Sequence, residues 1–126
     1  MMKKRWLTSL TIAASIFMAA LPVHAKGFDI IFMDHNNDSQ PVYSQLIPGD
    51  EVRELYVEGY SSADTINWYI LDENGNTLDF GYVGGTFNPN KYDYLEYKYF
   101  SGVQAIQVML ECSGGSCEGS ASITVR

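Results

Sequence analysis

Basic residues are scarce in this chain, histidine is scarcer, and cysteine occurs only as one close pair. Eight Lys and Arg stand against fifteen Asp and Glu, a net charge of −7 with histidine neutral. Such a surface repels nucleic-acid phosphates and anionic lipid, which excludes nucleic acid as a partner and favours cationic ones. Histidine occurs only at His24 and His35, too few for the ligand cluster that metal-dependent hydrolysis needs. The two cysteines, Cys112 and Cys117, are separated by four residues, Ser113-Gly114-Gly115-Ser116, and not by the two of a redox motif. No apolar run reaches the ~20 residues that span a bilayer. After the first 25 residues there is no sustained 3.6-residue apolar repeat, no internal repeat and no linker, so neither a helix bundle nor a multidomain chain is expected.

What is present begins with an address. Met1-Met2-Lys3-Lys4-Arg5 is basic, Leu7 to Leu21 is largely apolar, and Val23-His24-Ala25 is a small-x-small triplet. That order reads as a secretory signal peptide over residues 1–25, cleaved after Ala25. The run is too short for an anchor, so no stable membrane insertion is expected after cleavage. The mature domain, 26–126, is then secreted or periplasmic. Lys3, Lys4 and Arg5 leave with the signal, and five basic residues remain against all fifteen acidic ones, a net charge of −10. Nine Tyr, five Phe and Trp68 also remain, far more aromatic surface than a disordered acidic tail carries. In an oxidising compartment Cys112 and Cys117 are expected to form a disulfide.

Short runs rich in Val, Ile, Tyr, Phe and Thr, separated by Gly, Pro, Asn and Asp, predict strands near 27–33, 42–47, 51–58, 64–72, 77–83, 92–100, 103–112 and 117–125. Seven or eight short strands in about a hundred residues predict an all-β, antiparallel β-sandwich. Asn74-Gly75 supplies the positive φ of a tight turn between two of them. Ile66, Trp68 and Ile70 share a face by the two-residue period, which places Trp68 in the core. Ile66-Asn67-Trp68-Tyr69 followed by a glycine turn resembles the tryptophan strand of immunoglobulin-like domains. That resemblance covers about fifteen residues and lacks the flanking cysteine pair. It implies an immunoglobulin-like sandwich and no activity.

Ile106, Val108, Leu110 and Cys112 also share a face. With the cysteines opposed in a hairpin, Leu110 would face Gly119, Val108 would face Ala121 and Ile106 would face Ile123. Ile123 and Val125 would then join the apolar side.

If successive strands alternate in direction, the longer connections gather at one end, where binding usually resides. Tyr60, Phe87, Asn88 and the disulfide-braced Ser113, Gly114, Gly115 and Ser116 are the candidates there. Tyr92, Tyr94, Tyr97 and Tyr99 form a second candidate, a stacking platform for carbohydrate. On an unbroken strand Tyr92 and Tyr94 share a face with Glu96 and Lys98, while Tyr97 and Tyr99 are in phase with Asp93 and Leu95. Asp34, Asn36 and Asp38 have the alternate-oxygen spacing of calcium loops but lack the glycine and later glutamate of a full site, and a polar turn accounts for them better. Asp72 to Asn76 is explained by an Asx turn. Asn37-Asp38-Ser39 fits the glycosylation triplet.

No catalytic motif is present, and fifteen acids in a chain this size make chance carboxylate pairs unavoidable. The expectation is a non-catalytic binding protein without a cofactor, engaging a cationic protein through its long-loop end, for example as an inhibitor. The alternatives are a carbohydrate-binding module on the tyrosine platform and a calcium-stabilised structural or adhesive domain.

Overall fold

The computed structural model describes residues 27–34, 40–60 and 63–126. The signal segment, together with Asn36 and Asp38, lies outside them. Nine strands follow in order: β1 Gly27–Met33, β2 Val42–Tyr43, β3 Ile47–Pro48, β4 Glu51–Gly59, β5 Thr65–Asp72, β6 Thr77–Gly84, β7 Tyr92–Tyr99, β8 Ala105–Cys112 and β9 Gly119–Val125. They pair antiparallel into two sheets, ordered β1, β9, β4, β7 and β2, β8, β5, β6, with β3 also pairing with β8. The described chain is an all-β sandwich.

Alternation in the sequence creates the core. In β8 the even-numbered residues Ile106, Val108, Leu110 and Cys112 are buried, and in β4 Val52, Leu55 and Val57 are. These side chains interdigitate with Ile66, Trp68 and Ile70 of β5 and Ala121, Ile123 and Val125 of β9. Each large aliphatic residue so placed contributes about 1.5–3 kcal/mol relative to an exposed position.

The hairpin from β5 to β6 forms as expected. Asp72 Oδ1 accepts from the N–H groups of Asn74 and Asn76 at 2.8 Å each, and Gly75 takes φ 83°. The Asx turn therefore accounts for this acidic loop. Trp68 is 5% exposed, in the core.

Three expectations are corrected. The strand expected over 42–47 is two short ones, because Ser44 interrupts the ladder. It is buried; its N–H donates to the Val108 carbonyl and its Oγ accepts from the Val108 N–H, both at 2.9 Å.

The cysteine hairpin does not exist. Residues 105–112 and 119–125 lie in different sheets, since β8 is flanked by β5 and by β2 and β3, and β9 by β1 and β4. Ala121 faces Ile31 and Val57, not Val108, and Gly119 faces Met33 and Gly59, not Leu110. Likewise Ile123 faces Asp29 and Leu55, not Ile106. The disulfide, with Cα atoms 5.8 Å apart, braces a crossover between sheets. The buried residues were read correctly because both inner faces point at each other.

The strand order also differs from the immunoglobulin arrangement, in which the first two strands are neighbours in one sheet. Here β1 and the interrupted strand β2/β3 sit in opposite sheets, and β1 lies beside the last strand.

Candidate functional site

The antiparallel registers carry four connections to one end of the sandwich: those after β1, β4, β6 and β8. Backbone hydrogen bonds knit the described parts together. Asp64 N–H donates to Ser116 O, Ser113 N–H to Thr65 O, Thr86 N–H to Ala63 O and Tyr60 N–H to Glu118 O.

Asp64, which the sequence did not single out, organises this end. Its Oδ2 accepts from the Gly115 and Ser116 N–H groups at 3.0 and 2.9 Å. A Cβ on Gly114 would collide with that carboxylate, so a larger residue there would have to displace it. Successive glycine-rich amides form a concavity suited to an anion, and here the chain's own aspartate fills it. The only hint in the sequence was the Ser-Gly-Gly-Ser tip itself, because its partner lies some fifty residues upstream.

Beside the tip is an open groove of about 490 Å³ lined by Asp64, Thr65, Tyr82, Thr86, Asn88 and Ser113, with Phe87 on its wall. Phe87 is 97% exposed. Its loop is held by Lys91 Nζ, which donates to Gly85 O at 2.9 Å, and by Asn90 N–H, which donates to Asn88 Oδ1 at 2.9 Å. Phe87, Asn88 and Ser113 are thus brought together. Tyr60 is not among them; its hydroxyl pairs with Ser120 Oγ at 2.9 Å, on the outer face of the four-stranded sheet.

The tyrosine strand lies at the edge of that sheet. Tyr92, Tyr94, Tyr97 and Tyr99 are all exposed. Tyr97 adopts φ 58° and breaks the alternation. As a result Lys98 pairs with buried Val52 and reaches Asp79 of the other sheet at 3.5 Å, while Tyr99 pairs with Glu51. Tyr99 therefore shares the outer side with Tyr92 and Tyr94, whereas Asp93 and Leu95 face inward, correcting the expected grouping. A non-glycine residue at positive φ is uncommon, and nothing in the local sequence marked it.

Tyr94 donates its hydroxyl to Glu54 Oε2 at 2.9 Å and lies 3.2 Å from Glu96 Oε2. The bond to Glu54 and, after it, burial push the Tyr94 hydroxyl up to about 12. Tyr56 packs on Tyr92 with ring centroids 5.8 Å apart. Burial, then the charge of Glu58, raises its pKa as well.

Among the described residues no group of three or more His, Cys, Asp or Glu is placed to hold a metal ion. Of the proposed calcium ligands only Asp34 falls within them. Among the same residues no helix is long and apolar enough to cross a membrane.

These features define an antiparallel two-sheet sandwich with a braced loop end and an aromatic outer face. No protein-family model matches the chain, and no curated protein matches it. Among solved structures it is similar to the crystal structure of the SPBc2 prophage-derived protein YomS, at 18% identity over 82% of this chain and 98% of that one, with a TM-score of 0.40. A likeness at that level says nothing of function.

Proposed function

We propose that the chain is a non-catalytic, secreted or periplasmic sandwich of the jelly-roll type that binds a cationic protein through its loop end. The jelly-roll reading rests on the winding. With β2 and β3 counted as one strand, every connection except β5 to β6 crosses between the sheets, the pattern of double-sheet jelly rolls. Secretion rests on the leader sequence and is compatible with the disulfide.

The observation that carries the binding role is Phe87, fully exposed on a braced loop beside an open groove. Aromatic side chains are enriched at the cores of protein interfaces, and here the groove beside Phe87 and the hydrogen bonds that hold its loop set it apart from a lone exposed residue. The hydrogen bonds of Asp64 and the disulfide preorganise the surface, which lowers the ordering cost of association. The excess of acidic residues steers basic partners toward it.

The test is retention of basic extracellular or periplasmic proteins by the mature, oxidised chain at low and high salt, beside a Phe87→Ala variant of equal Tm. A basic protein held at low salt, released at high salt and lost with Phe87→Ala is the expected result. Retention indifferent to both salt and Phe87, or no retention, overturns the reading.

A further inference from the structure

The outer face of the four-stranded sheet is a second surface, separate from the loop end. Its registers set three rows across β1, β9, β4 and β7: Phe32, Ser120, Glu58, Tyr92; then Ile30, Ser122, Tyr56, Tyr94; then Phe28, Thr124, Glu54, Glu96. Read along the strands, β1 contributes an apolar wall, with Phe28 and Phe32 each 60% exposed. Between them β9 presents the small hydroxyls of Ser122 and Thr124, with Ser120 buried and bonded to Tyr60, and β4 and β7 make a second wall of tyrosines and carboxylates. Two strand spacings separate β1 from β4, so the trough is roughly 10 Å across.

At its Glu54 end the trough deepens into a pocket of about 160 Å³ lined by Arg53, Glu54, Glu96, Tyr97 and Thr124. Two local irregularities make it. The register of β4 against β9 shifts between Val52 and Glu54, which leaves Arg53 as the extra residue of a bulge, and Tyr97 opposite it takes its positive φ. Bulges re-aim side chains and recur at binding sites. The Arg53 guanidinium lies 5.0 Å from the centre of the Tyr97 ring. Its Nε and Nη1 are buried and, among the described residues, have no hydrogen-bond partner. Buried donors normally have an acceptor, and two of the three guanidinium nitrogens lack one.

The lining decides what kind of acceptor fits. Glu54 and Glu96 repel a carboxylate or phosphate, and two carboxylates with Arg53 beside them are, among the described residues, too few to hold a metal ion. An apolar ligand leaves the Arg53 donors unmet. A hydroxyl group donates and accepts at once, so it can take a guanidinium N–H while giving its own proton to a carboxylate. Several hydroxyls on a ring with an apolar C–H face also suit the aromatic walls. We propose that this face binds a neutral glycan, with the Arg53, Glu54 and Glu96 pocket taking the hydroxyls of one sugar unit and Tyr94, Tyr56 and the β1 phenylalanines stacking on the chain. The site does not depend on the loop-end reading.

The test is electrophoresis of the mature, oxidised chain through native gels containing soluble neutral polysaccharides (a β-glucan, an α-glucan, a galactomannan, a xylan) or polygalacturonate as an anionic control. Retardation in at least one neutral gel, persisting in 1 M salt and absent in polygalacturonate, is expected. Tyr94→Ala and Arg53→Met should each weaken it about tenfold or more, the loss of one good polar or stacking contact. Glu96→Gln, an exposed and near-isosteric change, should weaken it without altering Tm, which separates recognition from folding. Phe87→Ala should leave it unchanged. No retardation in any neutral gel, retardation by polygalacturonate alone, or binding indifferent to Glu96 and Arg53 overturns the proposal.

Discussion

Trp68 of β5 donates its indole N–H to Asp93 Oδ2 of β7 at 2.6 Å, a charge-assisted hydrogen bond that joins the two sheets. Asp93 Oδ1 also accepts from Asn90 Nδ2 at 3.1 Å, tying the loop before β7 to the same carboxylate. Asp93→Ala should destabilise the domain by about 1–3 kcal/mol, because it strands a buried N–H. In a Trp68→Phe background the same substitution should cost at least ~1 kcal/mol less. Urea unfolding of the four proteins of this cycle, followed by far-ultraviolet circular dichroism, checks it, and strict additivity would mean that the bond contributes nothing.

Reduction of the disulfide should cost about 2 kcal/mol, the chain-entropy value for so short a loop. The fold should persist, because Asp64 still holds the tip through the Gly115 and Ser116 amides. Urea midpoints with and without reductant, and in Cys112→Ser/Cys117→Ser, measure this. Adding Asp64→Ala to the reduced protein should then loosen the tip, read as faster amide exchange at residues 113–118.

Two glycines should respond to alanine for different reasons. At Gly81 a Cβ would sit 2.6 Å from the Trp68 ring, so Gly81→Ala overpacks the core and should cost about 1–3 kcal/mol. At Gly75 nothing lies within 4 Å of the new Cβ, but φ is +83°. Gly75→Ala should cost only about 1 kcal/mol, through backbone strain alone. Thermal melts should therefore place Gly81→Ala at or below Gly75→Ala in Tm, and a lower Tm for Gly75→Ala would contradict the overpacking.

Alkaline titration followed by tyrosinate absorbance should show one tyrosine ionising near 12, assigned by its loss in Tyr94→Phe. Glu54→Gln should lower that value most, since the bond to Glu54 is its largest cause. The folded pKa lies above the unfolded one, near 10. The stabilisation from this hydroxyl is therefore complete below about pH 10 and is lost as pH rises through about 12.

Edge strands invite unwanted pairing unless they are guarded. In β1, Asp29 Oδ1 accepts from the Ile30 N–H at 2.8 Å and Oδ2 from the Gln45 N–H at 2.8 Å. In β6, Asp79 Oδ1 accepts from the Phe80 N–H at 2.8 Å. Both strands lie at sheet edges and carry exposed phenylalanines. Asp29→Ala/Asp79→Ala should raise self-association at equal concentration, measured by sedimentation velocity, with little change in Tm.

Much of the frame was legible because it is local chemistry. Asn74-Gly75 could turn, Ile66, Trp68 and Ile70 had to face one way, and the connections after residues 33, 59, 84 and 112 had to gather once strands alternated. The candidate sites were half legible. Phe87 and Ser113 were placed together correctly, and so were Tyr92 and Tyr94. Glu96 was set on the face of Tyr92 and Tyr94, but Asp64 and Arg53 went unnoticed, because one charged residue among many has no distinguishing mark until its partners are known.

The sequence by itself determined where strands run and which residues they bury, since the two-residue period and turn chemistry act within a few positions. Beyond the hairpin of β5 and β6, only the tertiary structure decided which strands pair. Cys112 and Cys117 suit a hairpin tip and an intersheet crossover equally well, and the choice depended on β9 having two open neighbours in the other sheet. It also decided that Tyr97 would leave the β region and that Arg53 would bulge opposite it. Those conformations are held by contacts between segments more than forty residues apart, which no local pattern encodes.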